Sequence, residues 1–461
     1  MKIAKSPNKT LAGHLAHYCT QFDLHSLPGA VVRHASHLLL DLLGAALAGI
    51  DTPEAAAAGK AVALLSPAGG PCTLWGTQGS ASPTAAALHN GIIAHARELD
   101  DFGGVDHTGA VVVPVILAIA EAFPVLSGRQ ALEAMVVGYE VGRRVLDSAG
   151  GYRPHNHGDG FHSTGTCGSF AAAAAAAKAM GLNREQTLWA LGLAGSFTGG
   201  TWAFTVDGAM SKRFNVGRAA ETGVVAACLA RSGFTGPAHI FEADWGGFLG
   251  TYARAELQPE ALTCPRPPGY GILRSGIKPY AACRDIHSSL DVVLDAKNRY
   301  SLTPADIASI EVRCIPEMMQ MIGKVDFPTT RIEAQLSLPY SIAVALVAGQ
   351  AFLGEYQAPL LYDPEVRRLA SLVHLIESPE LPFDSEPYLT LTTIDGRTIS
   401  GHVDYASGAP QNPLSPDTIM QKFESLAARV LPIAKVAELR DKILAVASLS
   451  DVRDITACLR L

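Results

Sequence analysis

The stretch CGSFAAAAAAAKAM, residues 167–180, carries seven consecutive alanines and stops at Gly181. Alanine has the strongest helix propensity, and its small side chain lets neighbouring helices approach closely. This stretch therefore reads as a helix at the centre of a helical packing. Gly181 supplies the left-handed residue that ends such a helix. Asn183 then caps the next one, with Glu185 and Gln186 in its first turn. Working outward, Leu39, Leu40, Leu43, Ala46 and Leu47 fall on one helical face. A further helix runs from Gly217 through Ala219 to Ala230 and stops at Gly233. Residues 1–265 are expected to form a large all-helical main domain.

The pattern changes at 264–271, CPRPPGYG, whose prolines cannot sit inside a helix and which reads as a linker or crossing strand. Beyond it the period drops to two. IEVRCI at 310–315 reads as a strand. LTLTTI, the Asp395-Gly396 turn and RTISGHV read as a hairpin over 388–403. Residues 340–352 read as helical. From Pro416 to the end the chain is helical again, with Ser415 as cap. The expected fold is mainly α, with a smaller α+β lid domain over 266–405. Residues 406–461 form a helical segment returning to the main domain.

The chain has 461 residues, 48% of them hydrophobic and only 17% charged, which excludes a disordered chain. With 36 Lys and Arg against 43 Asp and Glu, the net charge of −7 argues against nucleic-acid binding. No apolar run at the N-terminus resembles a signal peptide. The longest apolar run, 110–120, is too short for a membrane span. The eight cysteines include no C-x-x-C pair and read as free thiols of a cytoplasmic protein. No phosphate-binding loop, G-x-S-x-G or H-E-x-x-H occurs, and GYGILRSG at 269–276 has no strand before it.

Polar residues gather in a few places. His95 to Gly109 holds four carboxylates and two histidines, among them Glu98, Asp101 and His107. The preceding helix is expected to end near Asp101, where Gly103-Gly104 breaks it. The next helix starts near Thr108, placing His107 at a helix N-terminus that attracts anions. His107 then reads as a general acid/base with carboxylate support, or as part of a solvated capping loop. The second cluster, His155 to Gly165, has three histidines. His155, His157 and His162 suggest a metal site by count, yet the surrounding glycines favour a loop. No metal is therefore expected there, and His162, just before the alanine helix, is the better acid/base candidate. The third cluster holds Lys212, Arg213 and Arg218, either a carboxylate pocket or a helix end decorated with cations for its dipole. Lys278, Arg284 and His287 form a fourth, with a solvated polar turn as the plain alternative. Arg331 and Tyr340 form a fifth, equally readable as helix surface and core.

Taken in order, these stretches resemble the MmgE/PrpD family, which includes 2-methylcitrate dehydratase, cis-aconitate decarboxylase and iminodisuccinate epimerase. The matching segments are HNGIIAHARELDD, HTGAVVVPVILAIAEA, GYEVGRR, GFHSTGTCGSFAAAAAAAKAMGLNREQ, DGAMSKRFNVGRAAETGVVAACLARSGFTGP and IKPYAACRDIHSSLD. The resemblance implies a homodimer with an active site in the cleft between a helical domain and a lid, and no obligatory cofactor. His107 is similar to the family's histidine of the H-P-G/H-P-S segment, and His162 to that of G-F/W-H-x-T. Lys212 is similar to the lysine after D-G-x-M, and Lys278 to that of K-x-Y/F-P-x-C. Tyr340 resembles the tyrosine late in the lid helix. Glu98 stands where decarboxylase-like members carry the first Asp of D-F-D-D. Two departures matter. The loop after Asp101 reads Phe102-Gly-Gly-Val-Asp106, and Asn215 replaces a family histidine, so that position cannot transfer a proton near neutrality.

The family's reactions share one step, the handling of a proton on carbon next to a carboxylate. The expected assignment has His107 and His162 as the acid/base pair with Glu98. Lys212 and Lys278 anchor substrate carboxylates, Arg284, Asp101 and Arg213 complete the binding set, and Tyr340 donates a hydrogen bond or proton. The expected activity is dehydration of a small di- or tricarboxylate. Decarboxylation or epimerisation is the alternative, ahead of a metal-dependent hydrolase or a non-catalytic binding protein.

Overall fold

The computed structural model describes residues 7–253, 257–264 and 269–461. These divide into two compact units. The first comprises 7–204, the described part of 210–276, and 415–461; the second comprises 205–209 and 277–414. The unit boundaries at 276/277 and 414/415 stand beside the expected 265/266 and 405/406. The Pro-rich linker lies partly outside the described residues, since 265–268 are not among them.

The first unit is helical. Its helices include α1 (Leu11–Gln21), α2 (Gly29–Gly49), α3 (Pro53–Leu65), α4 (Pro83–His95), α5 (Thr108–Ala122), α6 (Gly128–Ser148), α7 (Ser163–Ala179), α8 (Arg184–Phe197) and α9 (Ser211–Arg231). A two-residue ladder, β1 (Cys72–Thr73) and β2 (Ser80–Ala81), precedes α4. The alanine run lies in α7, and Ala171 to Ala177 are all buried. α7 packs against α5, α6, α8 and α9. Small residues make that crowding possible: a Cβ on Gly142 of α6 would sit 2.8 Å from the Ala171 methyl. A Cβ on Gly223 of α9 would collide with Ala172. The expected cap on α8 is present as a capping box, Asn183 with Gln186.

α4 and α9 approach through a glycine pair. A Cβ on Gly91 would lie 3.0 Å from the Gly217 Cα, and one on Gly217 would strike the Leu88 carbonyl. Among the described residues α2 has the length and composition to cross a membrane. Most of it is buried inside this unit, where Asp41 is ion-paired with Lys422 at 2.5 Å. Ser415 caps the helix Pro416–Ala427, as read from sequence.

The second unit is α+β. Its sheet has the order β4-β3-β5-β6, from β3 (Ile307–Cys314), β4 (Val373–Glu377), β5 (Tyr388–Thr393) and β6 (Thr398–Gly401). β3 pairs antiparallel with β5 and parallel with β4. In β3, Ile310, Val312 and Cys314 are buried while Glu311 and Arg313 are exposed, the alternation that marked it. The hairpin β5–β6 turns at Gly396, whose φ is 85°. The helix expected over 340–352 spans Leu338–Ala348 and ends at Gly349 in the left-handed region. The parallel strand β4 carries no alternation beyond Val373 and was not read from the sequence.

The α4–α9 crossing gives a direct expectation. Gly217→Val forces two helix backbones apart and should destabilise the fold by ~1–3 kcal/mol, the usual cost of overpacking. A thermal-denaturation midpoint unchanged from wild type would show that the crossing tolerates a side chain.

Candidate active site

The site grows from the break after α4. The expected helix through Asp101 ends six residues earlier, at His95. The chain turns there because Glu98 takes a left-handed conformation, φ 55°, rare for a residue with a side chain. That turn aims the Glu98 carboxylate at α9. One oxygen accepts from Lys212 Nζ at 2.7 Å and the other from Arg213 at 2.8 Å. All three residues are 2% exposed, so the carboxylate exchanges its water shell for two cations. Lys212 and Arg213 lie in the first turn of α9. Cations there oppose the helix dipole, so decoration of a helix end does not explain them.

The next residues are equally committed. Asp100 is fully buried and lies between two imidazoles, with His95 Nδ1 at 2.8 Å from one oxygen and His107 Nδ1 at 3.0 Å from the other. Burial alone would raise its carboxyl, but His95 and His107 hold it well below the usual range. Asp101 accepts from the Gly109 amide and the Tyr139 hydroxyl, both at 2.9 Å, and so pins the start of α5. Burial, and then Asp100, push its carboxyl well above the usual value. In this structure Asp101 braces the helix that carries His107.

His107 stands at the N-terminus of α5, as the sequence indicated. Its loop is docked on α7: the Ser163 and Thr164 hydroxyls donate to the Val105 carbonyl, and the His107 amide donates to Thr164 Oγ1. Gly103 and Asp106 in this loop both have positive φ. Asp106 thereby brings Oδ2 to 3.3 Å from His107 Nε2 and 3.9 Å from His162 Nε2. Glu98 Oε1 is 3.7 Å from the same His107 nitrogen. The His107 and His162 rings are 6.3 Å apart between centroids. His162 precedes α7 and is wholly buried, with Trp202 and Phe204 edge-on at 5.1 and 5.5 Å. Burial, then Lys212 and the other two histidines, push His162 well below the usual value, so it is neutral. Its Nδ1 is 3.2 Å from Asn215 Nδ2, while Nε2 has no protein hydrogen-bond partner among the described residues.

The structure thus brings together Glu98, His107, His162, Lys212 and Arg213, with Asp101 behind them. His95, Asp100 and Asp106 join them and were not singled out from sequence. The second unit, taken by itself, holds Lys278, Arg284 and Tyr340. Arg284 is ion-paired with Glu386. The Tyr340 hydroxyl donates to the Glu355 carbonyl, and burial pushes that phenol upward. The three-histidine metal reading does not gather. His155 has both ring nitrogens engaged, at 3.0 Å from the Tyr252 carbonyl and 2.6 Å from Thr166 Oγ1. Two other groups, His95/Glu98/His107 and Asp106/His107/His162, have donor atoms within 4.8 Å of one another. Glu98 is already matched by two cations, which opposes a metal in the first group.

Comparison with known proteins places this arrangement in a class. The model of the MmgE/PrpD N-terminal domain matches residues 13–260, and that of the MmgE/PrpD C-terminal domain matches 280–447. The chain belongs to the MmgE/PrpD family. It is 28% identical to a cis-aconitate decarboxylase-like protein of Aspergillus oryzae, over 98% of both chains. It is 27% identical to a cis-aconitate decarboxylase of Aspergillus terreus, over 96% of this chain and 94% of the relative. It is 29% identical to the human cis-aconitate decarboxylase, over 93% and 89%. These relatives support a lyase of decarboxylase-like type.

The buried histidines set a pH dependence of stability. Burial pushes His95 and His162 well down and His155 to about 4. An unfolded histidine takes up its proton near ~6.5, so below that pH the unfolded chain binds more protons. Stability therefore falls as pH drops, by up to ~1.4 kcal/mol per pH unit for His155 alone between about 6.5 and 4. Tm should change little between pH 7.5 and about 6.5 and decline from there to pH 5; a flat profile down to pH 5 would contradict neutral burial of these rings.

Proposed function

We propose that the protein is a lyase that decarboxylates a small unsaturated polycarboxylate of the cis-aconitate type. The observation that carries this reading is the setting of His107. Its Nδ1 is held by Asp100, while its Nε2 faces Asp106 and Glu98 in a buried cluster with His162 and Lys212. Three carboxylates stand within 3.7 Å of that ring's nitrogens, two of them at Nε2. Breaking the carbon–carboxylate bond releases CO2 and leaves the bonding pair on carbon, next to a remaining carboxylate. A fixed ammonium in a water-poor site stabilises that charge as it spreads onto oxygen. Lys212 has three N–H donors and spends one on Glu98, leaving others for a substrate carboxylate. His107 then delivers its Nε2 proton to carbon. The balance is one proton consumed and one CO2 released, and the ring regains its proton from solvent.

Names of relatives at 27–29% identity favour decarboxylation over the dehydration expected from sequence. Dehydration and epimerisation remain separate outcomes of one experiment. The purified protein is incubated in D2O with cis-aconitate and a panel of citrate-like acids and followed by NMR and CO2 release. Decarboxylation gives CO2 and one deuterium on the carbon that takes up the proton. Dehydration gives loss or addition of water without CO2, and epimerisation gives C–H exchange alone. Absence of all three with every acid would leave a binding protein. For the turned-over acid, His107→Asn and Lys212→Ala should each lower kcat/KM by at least ~10², with Tm followed in both because Lys212→Ala also strips one cation from buried Glu98.

A further inference from the structure

Two neighbours fix which nitrogen of each imidazole bears hydrogen. Asp100 is an acceptor only when ionised, and its carboxyl is held in that form. His107 Nδ1, 3.0 Å away, must therefore be the N–H donor, and any proton exchanged with a substrate passes through Nε2. His95 makes the same commitment on the other oxygen, at 2.8 Å. His95 Nε2 then accepts, and Arg213 lies 3.4 Å from it. His107 can hold or lose its Nε2 proton without moving, since Asp100 keeps Nδ1–H in either state.

His162 is set the opposite way. The Asn215 amide nitrogen, 3.2 Å from Nδ1, only donates, so Nδ1 of this neutral ring is the acceptor and Nε2 carries the hydrogen. That N–H is buried, has no hydrogen-bond partner among the described residues and faces Asp106 Oδ2 at 3.9 Å. Trp202 and Phe204 stand edge-on against the ring, opposing its rotation. A buried N–H with no acceptor is costly, and such groups are rare unless a ligand oxygen completes them.

We propose that Asp100 and Asn215 are positioning residues that hold the two histidines in opposite tautomers. His107 becomes the one that cycles a proton through Nε2, and His162 a fixed Nε2–H donor to a substrate carboxylate or enolate oxygen. The division of roles rests on the lyase reading above; the tautomers rest on the hydrogen-bond partners of each ring. Asn215 cannot exchange a proton near neutrality, so beside His162 it only orients the ring. The residue is half-buried and also lines a cavity of about 220 Å³ with Phe197, Phe214 and Arg218, so its side chain can change without breaking core packing.

The test is long-range 1H–15N correlation of protein labelled with 15N-histidine, with His162 and His107 assigned by difference from His162→Asn and His107→Asn. Wild type should give His162 with hydrogen on Nε2 and His107 with hydrogen on Nδ1. Asn215→Asp presents an acceptor instead and should move the His162 hydrogen to Nδ1. Asn215→Leu, which adds no charge, should give a mixture. Asp100→Asn should release the tautomer of His107. With a turned-over acid, Asn215→Asp should lower kcat on the order of 10², the scale for losing a positioned donor. Hydrogen on His162 Nδ1 in wild type, or full kcat in Asn215→Asp with an inverted ring, would overturn the proposal. The spectra read the tautomers even where no panel acid reacts, so failure of the lyase reading and failure of this assignment are distinct results.

Discussion

The buried carboxylate of Glu98, clasped by Lys212 and Arg213, is the constraint around which the first unit is arranged. An isolated carboxylate in a low-dielectric interior is costly by several kcal/mol, and removing one partner of a buried ion pair typically costs ~3–5 kcal/mol. Both oxygens here are satisfied at 2.7 and 2.8 Å. That match sustains a left-handed backbone at a non-glycine residue, a strain of ~1–3 kcal/mol. The strain has a structural return. Because the chain leaves the helical path after His95, Asp100 and Asp101 point in different directions. One carries two imidazoles, and the other holds the first turn of α5 and the Tyr139 hydroxyl. The glycine pair Gly91 and Gly217 makes the same point from the packing side. Without the close α4–α9 crossing, the two cations would not reach Glu98.

Charge bookkeeping then narrows what the pocket can hold. Glu98, Asp100 and Asp106 bring negative charge, and Lys212 and Arg213 bring positive charge. A polycarboxylate entering such a site competes with Glu98 for the same ammonium. It gains most where it also meets neutral donors, which add no charge to desolvate. The His162 Nε2–H is such a donor, and the spare N–H groups of the Lys212 ammonium add charged ones.

The helices were legible because their signals are local. Seven alanines, the Asn183 cap and the placement of His107 ahead of Thr108 are all decided within a few residues. The strand over 310–314 and the Asp395-Gly396 hairpin were legible for the same reason. What the sequence hid depends on distance along the chain. Glu98 and Lys212 are 114 positions apart, and nothing in either neighbourhood announces the other. Asp100 looked like one acid in a polar run; its hold on two rings exists only once α4 and α5 are folded together. His155 carried a misleading local signal, because H-x-H with a third histidine nearby imitates a metal ligand set. Its two ring nitrogens instead join a backbone carbonyl and a threonine. The second unit's β4 escaped because its exposed positions do not alternate with buried ones.

The tautomers bear on the kind of chemistry as well as on its rate. Dehydration removes a proton from carbon and supplies one to the departing hydroxyl, so two groups must change protonation state in opposite directions. Epimerisation likewise needs a base on one face and an acid on the other. Decarboxylation asks for less: once CO2 has left, one proton must reach carbon while the negative charge on oxygen is held in place. One imidazole that cycles, one that only donates and one partly engaged ammonium meet that demand. An imidazole at 215 would add a second group able to exchange protons beside His162, and would widen the chemistry available. Asparagine at that position keeps the hydrogen on His162 Nε2 and leaves proton traffic to His107 alone. On the proposed reading, asparagine at 215 is therefore the feature that most favours a reaction with a single proton transfer.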